Sequence, residues 1–250
     1  MSPKTKVAAC QVPEIRGDAE QALWWIETYA ARADAQGASL VCFPECFLQG
    51  YLVEEDEARH HAIDFKSQEF GAVLTRLAKI KPTLVFGLIE VDKGVLFNSA
   101  VVVDQGRLRG TYRKVRLLEG ERIFQPGDSY QVFEADGLKF GINICYDTNF
   151  PEGAAALAAQ GASVLVCPAN NMMGRAKAEE WKHRHNEIRR QRARETGLWI
   201  VASDVTGERD GRVGLGPTAI IDPSGQVVAQ VPWLEPGIAV AEIPSSGVKD

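Results

Sequence analysis

Several protein classes are excluded by what this chain lacks. It has no excess of positive charge: 28 Lys and Arg stand against 33 Asp and Glu, a net charge of −5, so nothing draws it to phosphate backbones or anionic lipid. No basic block precedes an aromatic-rich strand as in common RNA readers, and nucleic acid is not an expected partner. No apolar run reaches the roughly 20 residues of a membrane span, and the stretch ending at Val12 before Pro13 is too brief for the centre of a signal peptide. The five cysteines, at positions 10, 42, 46, 145 and 167, form no C-x-x-C pair and leave an odd one over. Reduced thiols in a soluble cytoplasmic protein are the expectation. Low-complexity linkers and internal repeats are also missing, so residues 1–250 are expected to form one domain.

Strand-like and helix-like segments alternate along the chain. Val7–Val12, Ser39–Phe43, Thr83–Val91, Val95–Asp104 and a segment from Arg107 to Tyr112 predict strands in the first half, with helices over Asp18–Gln36 and Glu69–Lys79. Val132–Ala135 and Leu138–Ile144 flank Asp136-Gly137 as a hairpin, followed by a helix over Pro151–Gln160 and a strand over Ser163–Cys167. A long helix is expected from about Ala176 to Thr196, then strands over Leu198–Ser203, Thr218–Ile221, Gln226–Val231 and Ile238–Ile243. This order of hairpins and crossover helices suggests an α/β protein with two sheets face to face and helices outside.

Cys145 ends the apolar run Phe140-Gly141-Ile142-Asn143-Ile144, just before Phe150-Pro151-Glu152, where a strand should turn into a helix. A side chain at such a turn is lifted out of the sheet, and the nearby helix N-terminus favours a thiolate. A cysteine nucleophile needs a proton acceptor and usually a cation. Ser39-Leu40-Val41-Cys42-Phe43-Pro44-Glu45 ends an apolar strand on a carboxylate, and Tyr112-Arg113-Lys114 places a lysine just beyond another. Taken singly, Cys145 reads as core, Glu45 as a helix cap and Lys114 as part of a solvated basic run. Their joint occurrence at strand ends, where α/β proteins gather their chemistry, argues otherwise.

These segments resemble the nitrilase, or carbon-nitrogen hydrolase, superfamily over almost the whole chain, including Arg192-Ala193-Arg194-Glu195 and Gly216-Pro217-Thr218 downstream. The resemblance implies a four-layer α-β-β-α sandwich with two mixed sheets, a homodimer or higher homo-oligomer, and a catalytic Glu45, Lys114 and Cys145. It also implies a second glutamate before Pro126-Gly127, with Glu121 preferred over Glu119. Cys145-Tyr146-Asp147 is more similar to the amidase and carbamoylase branches than to the Cys-Trp-Glu of true nitrilases. The implied activity is hydrolysis of a small amide or N-carbamoyl compound through a thioester on Cys145. Nitrile hydrolysis, acyl transfer to another acceptor, and a non-catalytic interaction protein on the same fold are the alternatives.

Tyr146, Asn170, Asn171 and Met172 are the expected substrate-binding residues, the last three in a loop following a strand at the presumed catalytic end. Arg175 or an arginine between 184 and 194 could hold a substrate carboxylate. From Trp181 to Arg192-Ala193 the chain is about one turn longer than the family pattern. His183 and His185 would point in different directions on a helix, so no metal is expected, and no cofactor either. The late aromatic and proline-rich stretch Val231-Pro232-Trp233-Leu234-Glu235-Pro236 is a candidate for the dimer interface.

Overall fold

A computed structural model describes residues 4–244, so residues 1–3 and 245–250 of the expected domain lie outside the described residues. Lys4–Pro13 (β1) leads into Ala19–Asp34 (α1), where the Asp18 carboxylate accepts the N–H of Gln21, and the chain returns as Ala38–Cys42 (β2). Glu55–His61 (α2) and Gln68–Leu77 (α3) precede a meander of Thr83–Asp92 (β3), Val95–Asp104 (β4) and Arg107–Arg113 (β5). Val132–Ala135 (β6) and Leu138–Ile142 (β7) form the expected hairpin, with both Asp136 and Gly137 at positive φ as a tight two-residue turn requires. Pro151–Ala159 (α4) and Val164–Pro168 (β8) follow. Met173–Gly174 (β9), Arg175–Trp181 (α5) and Arg184–Thr196 (α6) lead to the long Trp199–Arg209 (β10). The chain closes with Arg212–Leu215 (β11), Ala219–Ile221 (β12), Val227–Gln230 (β13) and Gly237–Pro244 (β14).

These strands make one mixed sheet of fourteen, with its main path in the order β5-β4-β3-β2-β1-β10-β8-β7-β6. The junction is β10. Its first half pairs in parallel with β8 and antiparallel with β12, whereas Asp204–Thr206 pairs in parallel with β1 and the last residues pair with β11. The two expected sheets are therefore half-sheets joined through a single shared strand.

Both faces of the central strands are buried, and alternation assigns each residue to a different core. Val7 and Ala9 face a cluster with Leu40, Val85, Phe140, Val164, Val166 and Val201, which draws on both half-sheets. Ala8 and Cys10, on the other face of β1, pack with Ile26 and Ala30 of α1 and Phe70 and Leu77 of α3. Leu165 and Cys167 pack likewise against Ala154, Leu157 and Ala193 of α4 and α6.

The single helix expected over Ala176–Thr196 is instead two, α5 and α6, separated at Lys182-His183. No proline or glycine marks the break. Tertiary contacts hold it: the Trp233 ring receives Lys182 at 5.7 Å and His183 edge-on at 5.9 Å, while Ala178 of α5 packs with Val213 and Leu215. The break falls within the stretch that exceeds the family pattern. The strand expected over Leu198–Ser203 continues to Arg209, because its polar second half finds partners in β1 and β11. Among the described residues no helix is long and apolar enough to cross a membrane.

Candidate active site

Glu45 sits in the loop after β2, pressed against β3. The N–H of Gly87 donates to Pro44 and its carbonyl accepts from Leu48, and a Cβ at Gly87 would lie 2.3 Å from the Cys46 nitrogen and 2.6 Å from the Glu45 Cα. Only glycine permits that approach. Lys114 follows β5, with its backbone N–H donating to Asn98 of β4 and its carbonyl accepting from Gly127. Cys145 begins a short 3-10 turn between β7 and α4 and has φ +43°, a strained value for a non-glycine residue. Asp147 pins this turn, since its carboxylate accepts from the N–H groups of Ile144 and Arg116 and from the Tyr112 hydroxyl.

At the centre lies a buried cluster. Lys114 Nζ donates to Glu45 Oε1 at 2.6 Å and to Glu121 Oε1 at 2.7 Å, and all three residues are buried. Asn98 Nδ2 donates to the same two oxygens, at 2.8 and 2.9 Å. Glu45 Oε2 accepts the N–H of Asn170 at 3.0 Å, and Glu121 Oε2 accepts the N–H of Leu118 at 2.6 Å. Two donors thus occupy Glu45 Oε1, while Oε2 has only one, which leaves Oε2 with a lone pair for a further proton. Of the two glutamates near Lys114, Glu121 makes this contact, whereas Glu119 pairs with Arg122 at the surface.

The electrostatics are those of two carboxylates sharing one ammonium out of water. Burial raises the Glu45 pKa, Lys114 pulls it down and Glu121 raises it again, with a net upward shift. Burial works against the Lys114 charge, but Glu45 and Glu121 outweigh it and hold the ammonium above its ordinary range. For Cys145, burial and then the Glu45 charge push the thiol well above its ordinary value, against a smaller pull from Lys114. The resting sulfur is therefore a thiol, contrary to the thiolate expected from the helix N-terminus. Its Sγ lies 3.8 Å from Asn171 Oδ1, the acceptor for the S–H.

A cavity of about 330 Å³ opens on this sulfur, lined by residues including Tyr146, Asn171, Met173, Lys177, Trp181 and Arg189. Of the four expected substrate-binding residues, Tyr146 and Asn171 line it. Asn170 and Met172 do not: Asn170 supports Glu45 through its backbone, and Met173 takes the wall position. Arg175 pairs with Glu208 at the surface, and Arg189 alone of the 184–194 arginines reaches the cavity, already held by Asn186, Pro217 and Asp204. His185 also lines it, with its pKa lowered to about 3 by burial and by Arg189, so it is neutral there. A larger groove of about 750 Å³, lined by Ser39, Asp104 and Asp136 among others, contains none of Glu45, Lys114 and Cys145. Among the described residues no group of three or more His, Cys, Asp or Glu side chains is placed to hold a metal.

A match to the carbon-nitrogen hydrolase family extends over residues 6–250. The chain belongs to that family. A nitrilase of Pyrococcus abyssi is 36% identical over 221 residues, covering 87% of this chain and 81% of the relative. An omega-amidase of Xenopus tropicalis is 32% identical over 212 residues, covering 79% and 74%. Among solved structures, an amidase from Nesterenkonia sp. AN1, shown with acrylamide added at its active-site cysteine, matches with a TM-score of 0.82 at 27% identity, covering 96% of this chain and 93% of that one.

Within this carbon-nitrogen hydrolase chain, sequence reasoning missed Asn98, Gly87 and Asp204, and it offered Arg189 only as one of several arginines between 184 and 194. Asn98-Ser99 was the available signal for the first: two polar residues in the middle of an apolar strand, both buried. Asp204 carries the same signal in β10, since an acidic residue after Ile200-Val201-Ala202-Ser203 must be partnered if it is buried.

Proposed function

We propose that this protein hydrolyses the carbon-nitrogen bond of a small amide or N-carbamoyl compound through a thioester on Cys145. The observation that carries the reading is the buried Glu45, Lys114 and Glu121 cluster, of which Glu45 and Lys114 act by their charges on the Cys145 thiol that lines the cavity. Glu45 Oε2 takes the thiol proton as the sulfur bonds to the substrate carbonyl carbon. Lys114, together with the backbone N–H of Tyr146, stabilises the oxyanion, a contact worth about 3 to 4 kcal/mol in a dry site. Glu45 returns the proton to nitrogen, the carbon-nitrogen bond breaks and ammonia or an amine leaves. Water then attacks the thioester with Glu45 again as base, and the thiol is restored. Glu121 holds Lys114 in place through both steps.

An amide substrate is supported by the amidases among the relatives and by the small volume of the cavity. A nitrile is the second reading, favoured by the name of the Pyrococcus abyssi relative. The same proposal takes the two half-sheets as the inner layers of a four-layer α-β-β-α sandwich, which the central cluster shared by both half-sheets and the two outer helix-covered clusters support. It also takes residues 1–250 as a single domain in a cytoplasmic homodimer. Free thiols at all five cysteines support the compartment, and Leu234, exposed beside Trp233, supports the interface.

Ammonia release from a panel of amides and N-carbamoyl amino acids, read together with intact mass during slow turnover, tests the central claim. An acyl adduct on Cys145 that disappears in Cys145→Ala is expected. An adduct on another residue, or turnover by the purified Cys145→Ala variant, would overturn it.

A further inference from the structure

The carboxamide of Asn171 lies between the proposed nucleophile and a buried ion pair, and its orientation is fixed. Asp204 is fully buried, and its Oδ1 accepts the backbone N–H groups of Asn171 and Val205, both at 2.9 Å. Its Oδ2 accepts Asn171 Nδ2 at 2.5 Å, with Arg189 Nη2 at 3.5 Å. Arg189 is in turn anchored by the Asn186 side chain at 3.0 Å and the Pro217 carbonyl at 2.8 Å. An ionised carboxylate only accepts, so Asn171 must present its NH2 to Asp204. Turning the amide over would set its oxygen against the carboxylate and strand a buried polar group. The remaining atom, Oδ1, therefore faces the cavity, 3.8 Å from Cys145 Sγ. Arg189, Asp204 and Asn171 together build a hydrogen-bond acceptor beside the attacking sulfur.

We infer that Asn171 Oδ1 recognises an N–H of the scissile group, so the enzyme selects carboxamides and ureido compounds over nitriles and esters. This rests on the amide-hydrolase reading above and narrows its substrate class. In the resting site the thiol S–H uses this acceptor. Once the thiol proton moves to Glu45, the acceptor is vacated, and one hydrogen of the substrate NH2 takes it up. The nitrogen keeps that bond while it receives the proton from Glu45 and departs as ammonia. A nitrile nitrogen or an ester oxygen brings only lone pairs to the same place, where they meet the lone pairs of Oδ1.

The ratio of kcat/KM for a primary amide to that for the methyl ester of the same acid tests the inference, because both substrates form the same acyl-enzyme. Asn171→Ala should lower this amide-to-ester ratio by about 10- to 100-fold, as loss of one hydrogen bond to a site built around it would. Asp204→Asn leaves Asn171 in place but lets its carboxamide turn over, and should lower the ratio in the same direction. Combining the two substitutions should add little to the larger single effect. Equal losses on amide and ester in the variants that fold would mean that Asn171 merely ties down its loop, and would overturn the inference while leaving the hydrolase reading intact. Wild-type protein that acquires no acyl group on Cys145 from either substrate would overturn both.

Discussion

Glu121→Gln tests the electrostatic logic of the site with almost no change in shape. Glu45 Oε1 and Glu121 Oε1 both bond to Lys114 Nζ, at 2.6 and 2.7 Å, so the two oxygens lie within about 5 Å of one another. At an effective dielectric constant near 20, two unit charges at that separation repel by about 3 kcal/mol, equivalent to roughly two pKa units. The Glu121 charge is one cause of the raised Glu45 pKa, so removing it must move that pKa down. In the proposed mechanism Glu45 must be ionised to take the thiol proton, and the acid limb of kcat/KM then reports its pKa in the free enzyme. The limb should therefore shift by about one to two pH units toward acid, and the plateau should fall because a weaker base now faces a thiol of raised pKa. The assay is kcat/KM for a primary amide between about pH 4 and 10, paired with thermal melting to register loss of the Glu121 bonds to Leu118 and Lys114. An acid limb that stays in place, or moves toward alkali, would refute the reasoning. On the alkaline side the raised pKa values of Lys114 and Cys145 predict no loss of activity below about pH 10 in either protein.

Lys114→Met should lower kcat by about 100- to 1,000-fold with a smaller change in KM, since its contact strengthens as the oxyanion forms; steady-state kinetics with an unchanged kcat would remove it from that role. The same variant leaves Glu45 and Glu121 buried without their cation, so its melting should report a loss of about 3 to 5 kcal/mol at neutral pH, recovered in part at acid pH where one carboxylate protonates. Gly87→Ala would force a methyl group into the Cys46 and Glu45 backbone and should cost about 1 to 3 kcal/mol of stability together with most of the activity; full activity would show that the loop can retreat. Among the described residues that line the cavity, Lys177 is a cation without an ion pair, so Lys177→Ala should raise KM about two- to fivefold more for an amide bearing a carboxylate than for a neutral one. Added salt should erase that difference, and a salt-independent effect would point to packing instead.

The parts of this site that were legible in the sequence are those where chemistry interrupts a pattern at an end. Glu45 and Cys145 each close an apolar segment, Lys114 follows directly on a strand, and the helix signal at Pro151 locates the turn that lifts Cys145 out of the sheet. What was hidden depends on contacts between segments far apart in the chain. Gly87 is an unremarkable strand glycine until the Glu45 loop lies across it, and Lys182-His183 carries no helix-breaking residue, only a Trp233 ring arriving from about 50 residues downstream. The polar half of β10 reads as a loop because nothing local reveals that β1 will pair with it.

The hidden residues nonetheless share a physical signature that the sequence does carry. Asn98 lies in the apolar β4 and Asp204 in β10 after Ile200-Val201-Ala202-Ser203, positions where a polar side chain is stranded unless something partners it. Each is fully buried, and each meets groups of the cluster or cavity: Asn98 the two carboxylates bound to Lys114, Asp204 the amide facing the Cys145 sulfur. A protein tolerates such groups where they orient others, because partnering them fixes one arrangement and penalises the rest. Asn98 illustrates the limit of that compensation, since its Nδ2 serves both carboxylates while its Oδ1 has no partner. Fold stability alone would replace it with an apolar residue, and its presence in the strand is explained by the two oxygens it holds at Lys114.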